Sequence, residues 1–331
     1  MIINLFDTVN SYRDINLDLV AAAVTPDEQL VSNFQTFVRT NTRRCHFSDM
    51  YVFGDSLCDI GSAFDATQKA LGQGSPPSPP YFQGRFSNGP VWVEYLATLL
   101  ELTSKRNTNF ATGGANTGAK NTFIPDNQLG LPGLQQQINS FIEDLKAANR
   151  LADPKALYIV WAGANDYLGG GVTHPAMPIE NLSYAITSLA AVGAKNIMVL
   201  NLPNLGEVPA TRTDSQQSTL LNALTQQHNF SLSELLNTLN LGFDVSIIPF
   251  DVNSLFHQVF TNPTKFGFTN VTDAQLDQSD HLQNDTDKFF FWDVLHPTRF
   301  GHSLLAEFAF SLLAPTVQAR LSTNQHSLLN L

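Results

Sequence analysis

The chain has 331 residues, 43% of them hydrophobic and only 14% charged, enough apolar material for one α/β domain with insertions. Its formal charge of −11, from 18 basic and 29 acidic residues, argues against nucleic acid as a partner, because phosphate backbones are bound by clustered Lys and Arg. No apolar run approaches the roughly 18 residues of a membrane-spanning helix.

Residues 1–46 show no strong period and read as an arm or helix ahead of the main fold. Leu19 to Val24 is apolar, but Asp7, Asp14 and Asp18 stand where a secretory signal would be positive. The expectation is a cytoplasmic protein, or one whose signal has been cut away. Cys45 and Cys58 flank a strand whose rise of ~3.3 Å per residue puts them beyond disulfide reach, so two free thiols are expected.

The first strand is expected over residues 49–53, ending at Gly54. A Gly/Pro-rich loop over 72–80 follows, then a helix beginning near Pro90. A short strand is expected near 109–111. Leu134, Ile138, Phe141, Ile142 and Leu145 have helical spacing over 133–150. Residues 156–162 and 196–200 are short, continuous apolar runs, as expected of buried parallel strands. Helices over 180–192 and 216–241, a fifth strand over 245–250 and a last helix over 299–314 complete the series. Strand and helix alternate, which predicts an α/β fold: a three-layer α/β/α sandwich around a central parallel sheet of about five strands. The main domain is assigned to 47–318 and a tail to 319–331. The 24 Phe supply core bulk and are also suited to lining an apolar pocket.

Ligands bind at the carboxyl ends of strands in such sheets. Strand one ends in Phe53-Gly-Asp-Ser56-Leu57, which puts a hydroxyl at that edge; a hydroxyl needs a base within reach to become a nucleophile. Cys58 occupies the last position of a Gly-x-Ser-x-Gly elbow, so that motif is absent. Gly113-Gly114 and Gly163-Ala-Asn165-Asp166 end the next two strands and offer a backbone N–H and a side-chain amide. Tight turns and Asx caps are the plain structural alternatives. Near the C-terminus, Asp293-Val-Leu-His296 sets a carboxylate three residues before an imidazole, a spacing that lets Asp293 fix the tautomer of His296. The pair has no third and fourth ligand at metal-binding spacing, and no cofactor motif is found.

In this order along roughly residues 48–314, these segments resemble the conserved blocks of the GDSL, or SGNH, hydrolases. Residues 80–89 and 201–206 are similar to segments of plant-type and bacterial lipase or esterase members. The resemblance implies a flavodoxin-like SGNH fold and an esterase or lipase working through an acyl-enzyme on Ser56, with His296 as base and Asp293 orienting it. It also implies an oxyanion hole from the N–H groups of Ser56 and Gly114 and the side chain of Asn165, with no cofactor and no metal. The implied partner is a small-molecule or lipid ester. Asp59 and Asp166 are read as holding loops. His302 is a second, less favoured base, and Gly206 to Leu241 and Phe266 to Phe291 are candidate lids. An acyltransferase would use the same residues, and a non-catalytic flavodoxin-like binding module would use the same edge.

Overall fold

A strand covered on both faces has no polar side to show, and the sheet of this protein is built from such strands. In the computed structural model, which describes residues 47–242, 244–277 and 288–328, such strands are β1 (Met50–Gly54), β2 (Leu157–Trp161) and β3 (Asn196–Leu200), with the partly exposed β4 (Ser246–Phe250) at the edge. Every residue of β1, β2 and β3 is buried. The four strands pair in parallel in the order β1-β2-β3-β4. The expected N-terminal arm and Cys45 lie outside the described residues; Cys58 is a buried free thiol.

Alternate side chains along each strand enter two separate cores. Val52, Ile159, Met198 and Ile248, opposite one another in register, belong to one. Phe53, Val160 and Val199 belong to the other. The first core is closed by three helices: α2 (Trp92–Leu99), α7 (Val252–Thr261) and α8 (Arg299–Leu328). The second is closed by α3 (Leu134–Ala147), α5 (Ala176–Ala191) and the C-terminal half of α6 (Ser215–Gly242). The result is the expected three-layer α/β/α sandwich. α1 (Ser62–Leu71) and the short α4 (Ala164–Leu168) follow the ends of β1 and β2.

The expected strand near 109–111 is reduced to a single parallel bridge, Val52 to Asn109. Its backbone still follows β1, with Phe110 N–H donating to Val52 O (2.8 Å) and Thr112 N–H to Gly54 O (3.1 Å). The Asn109 side chain turns inward, its Nδ2 donating to Cys58 O and its Oδ1 accepting the Ala111 N–H. Counting this remnant, the spatial order is that of a flavodoxin-like sheet, with the switch point beside β1.

Three further expectations are revised. The last helix continues past Ala314 to Leu328, since no glycine after Gly301 offers a left-handed stop. Within the candidate lid Gly206 to Leu241, the C-terminal half of α6 is no flap, since it seats Leu232, Leu236 and Leu239 in the second core. The segment from Phe266 to Phe291 contributes Phe266, Phe268, Phe290 and Phe291 to the first core, and its ends pair as a small parallel ladder, β5 (Asn270–Ala274) with β6 (Phe289–Phe291). The middle of that segment lies outside the described residues.

Much of the phenylalanine excess is accounted for here. Phe290 meets Phe256, Phe260, Phe268 and Phe291 with ring centroids 4.9, 5.4, 5.2 and 5.0 Å away. Truncating so enclosed a ring leaves a cavity, so Phe290→Ala is expected to cost about 3–5 kcal/mol of unfolding free energy. Denaturant titration reads this as a large drop in midpoint; an unchanged midpoint would contradict the packing.

Candidate active site

At the end of β1 the backbone is gripped from both sides. The buried Gln137 side chain of α3 accepts the Gly54 N–H (2.9 Å) and donates to Gly54 O (2.8 Å). A Cβ at Gly54 would collide with the Trp161 carbonyl on β2, so only glycine lets the two strands stay this close. The chain then turns, Cys58 and Asp59 N–H both donating to Asp55 O. This turn presents Ser56, 9% exposed, at the carboxyl edge of the sheet.

The turn before α8 brings up the other half. His296 Nε2 lies 2.8 Å from Ser56 Oγ, across 240 residues of sequence. His296 Nδ1 lies 2.8 Å from each carboxylate oxygen of Asp293. Asp293 Oδ1 also accepts the N–H groups of Leu295 and His296, both at 2.8 Å, which locks the carboxylate to its own turn. With Nδ1 donating to the carboxylate, Nε2 is left as an acceptor for the serine proton.

Burial works against both charges, and the pairing overcomes it. Desolvation alone would raise Asp293, but the His296 ring and the two backbone N–H donors hold its carboxyl below the usual range. Desolvation alone would lower His296, yet the Asp293 carboxylate, with Asp55 behind it, raises it above 6.5. Asp55 is pushed up to about 6, chiefly by its own burial.

The opposite wall is built on two buried carboxylates. Asp59 accepts the N–H groups of Gly61, Ser62, Ala63 and Gly113, joining the start of α1 to the glycine pair. Asp166 accepts from Thr117 N–H and Oγ1. Both therefore act as loop holders, as expected. Between them Gly114 adopts φ 77°, and a Cβ there would strike Phe123 N. Asn165 Nδ2 donates to Ala115 O at 3.1 Å and comes within 3.4 Å of Asp55 Oδ2. Among the described residues, neither the Ser56 nor the Gly114 N–H is bonded to protein.

Ser56, Asn165 and His296 share a cavity lined mainly by apolar groups, among them Trp161, Leu202, Leu205, Val208, Phe256 and Leu295. Gly114 sits beside this wall rather than on it. The cavity holds about 50 Å³, room for roughly four water-sized groups. Among the described residues no three His, Cys, Asp or Glu gather as metal ligands, and no helix is long and apolar enough to cross a membrane.

His302 is fully buried away from the cavity, where its Nδ1 accepts the Trp92 N–H at 3.2 Å and so caps α2. Desolvation drives it down to about 3, so it stays neutral. Two site residues were missed from sequence. Gln137 carries no signal, since it is one polar residue on an amphipathic helix. Tyr81 donates to Asp293 Oδ2 at 2.9 Å, and its only signal is its place in the lipase-like segment 80–89.

The family model described as GDSL-like Lipase/Acylhydrolase matches residues 50–309. The thermolabile hemolysin of Vibrio parahaemolyticus is 29% identical over 274 residues, 77% of this chain and 61% of that protein. The phosphatidylcholine-sterol acyltransferase of Aeromonas hydrophila is 31% identical over 242 residues, 72% of this chain and 68% of that protein. This chain thus spans less than two thirds of the hemolysin's length. A solved structure of a lipolytic protein G-D-S-L family member from Veillonella parvula aligns with 79% of this chain and 95% of its own, at a TM-score of 0.45 and 17% identity.

The geometry makes His296 a measurable reporter. Its imidazole is expected to titrate above 6.5, and Asp293→Asn, which removes the charge that holds the proton, is expected to lower that midpoint. NMR titration of the ring protons checks it; a midpoint indifferent to Asp293 would refute the pairing.

Proposed function

This chain belongs to the GDSL-like lipase/acylhydrolase family, and from that premise we propose that it is a carboxylic ester hydrolase with Ser56 as its nucleophile. The observation that carries the reading is the 2.8 Å approach of His296 Nε2 to Ser56 Oγ, with Asp293 on the far side of the ring.

In this mechanism Ser56 Oγ attacks the ester carbonyl carbon while its proton passes to His296 Nε2. The carbonyl π pair moves onto oxygen, and that oxyanion is held by the N–H groups of Ser56 and Gly114 and by Asn165 Nδ2. For this the Asn165 amide turns one hydrogen from its long approach to Asp55 toward the new charge. Collapse breaks the carbon–oxygen bond, and His296 returns the proton to the departing alkoxide. Water, deprotonated by His296, then attacks the acyl-Ser56 and repeats the sequence to release the acid. Asp293 stays ionised throughout and stabilises the imidazolium.

The substrate is proposed to be a lipid or other acyl ester. Its acyl group would lie among Leu202, Leu205, Val208 and Phe256, which offer no polar partner. The names of the relatives, a hemolysin and a phosphatidylcholine-sterol acyltransferase, favour the same class. The second of these names also supports a second reading, in which an alcohol rather than water takes the acyl group from Ser56.

The test pairs wild type with Ser56→Ala on p-nitrophenyl esters from acetyl to palmitoyl, with a fluorophosphonate probe and with added alcohols. Wild type is expected to hydrolyse esters and take the label, and Ser56→Ala to do neither. A labelled or active Ser56→Ala removes Ser56 from the mechanism, and ester products formed with added alcohol favour transfer. Asn165→Ala is expected to lower kcat by roughly 10²–10³-fold. The kcat/KM profile should fall on the acid side with a midpoint above 6.5, because only neutral His296 can accept the proton; a midpoint below that value would disagree with the assignment.

A further inference from the structure

Residues 80–89, between the Pro-rich loop and α2, lie along the whole His296 turn. Tyr81 Oη donates to Asp293 Oδ2 at 2.9 Å, and its ring stands edge-on to Trp292, centroids 6.0 Å apart. The Phe86 ring packs against the His296 ring at 5.1 Å. Ser87 Oγ donates to Pro297 O at 2.9 Å, and Arg299 N–H donates to Asn88 Oδ1 at 2.7 Å. Residues 292–299 are thus bracketed from one side by a segment more than 200 positions earlier in the chain.

The carboxylate at the centre has its acceptor sites divided. Oδ1 serves two N–H groups of its own turn as well as Nδ1, whereas Oδ2 faces Nδ1 and the Tyr81 phenol. Among the described residues no other side chain but His296 donates to Asp293. Without the phenol, Oδ2 would carry its charge against Nδ1 alone, and rotation about the Asp293 side chain would be restrained from one end only.

We propose that Tyr81 is a positioning residue, whose phenol fixes the plane of Asp293 and shares its charge, so that His296 Nε2 stays aimed at Ser56. The inference rests on the ester-hydrolase reading for its effect on turnover, but the contact itself does not. Tyr81 touches no reacting atom and acts through Asp293. Asp277 faces the Tyr81 phenol and Asp55 faces His296, while His302 lies near His296 from α8 and remains neutral. None of these donates to Asp293.

Tyr81→Phe keeps the ring against Trp292 and removes only the hydroxyl. Tyr158→Phe is the matched control, since that hydroxyl donates to Asp153 O at the far end of the sheet. Losing a charge-assisted hydrogen bond should lower kcat roughly 5- to 30-fold in Tyr81→Phe, with KM nearly unchanged. The sign of the pH effect is fixed: a carboxylate deprived of a donor holds the imidazolium more strongly, so the acid limb moves to higher pH, by roughly 0.3–1 unit. Tyr158→Phe is expected to move neither. If Tyr81→Phe keeps wild-type kcat and an unmoved acid limb, or loses thermal stability alone, the positioning role is overturned. If wild type hydrolyses no ester, the hydrolase reading fails on its own, and the His296 NMR midpoint decides the contact. A higher midpoint in Tyr81→Phe supports it, and an identical midpoint overturns it.

Discussion

A parallel sheet covered on both faces confines chemistry to its ends. In this protein alternate residues of β1 to β3 run into two apolar cores, so that no polar side chain projects from the middle of these strands. What is left is the carboxyl edge, where the strands stop and their backbones must turn. Ser56 follows β1, the glycine pair follows the strand remnant beside it, and Asn165 follows β2. The Asp293–His296 turn comes from outside the sheet altogether, and reaches this edge because α8 packs along α2 in the first core.

Around that edge, three buried aspartates and the partly buried Asp293 have four different environments. Asp59 is surrounded by backbone N–H groups and serves the loops alone. Asp166 has one threonine as its partner. Asp293 has an imidazole, two amides and a phenol, and stays charged. Asp55 has little beyond the Leu57 N–H and a distant amide, and its burial carries it into the range of neutral pH. Desolvation pushes every one of these carboxyls up, and only at Asp293 do the donors and the charge of His296 overcome it.

The elements that carry the edge were legible because their signals are local. Apolar runs bounded by glycine marked β2 and β3, and a helical spacing beginning at Leu134 marked α3 within a few residues. The meeting of Ser56 with His296 was legible only through the order of motifs resembling a family, since no local pattern joins positions 240 residues apart. The strand near 109–111 was overestimated, because an apolar run beside a glycine pair does not reveal that it meets β1 at a single bridge. The grip of Gln137 on Gly54 and of Tyr81 on Asp293 stayed hidden for a related reason. Each is one polar residue whose partner is set by tertiary packing, and its own neighbours in sequence say nothing of it.

The same packing governs how the sheet ends sideways. At its β1 margin, the backbone of residues 108–112 and the Gln137 amide occupy hydrogen-bonding groups that an open margin would leave free. At the other margin Ser246 N–H and Phe250 O both bond toward β3, which turns the nitrogen of Pro249 outward, where it has no hydrogen to give. Neither margin presents an unbroken ladder to a strand from another molecule. Among the described residues, the margins of this sheet therefore disfavour its extension by a strand from a second copy.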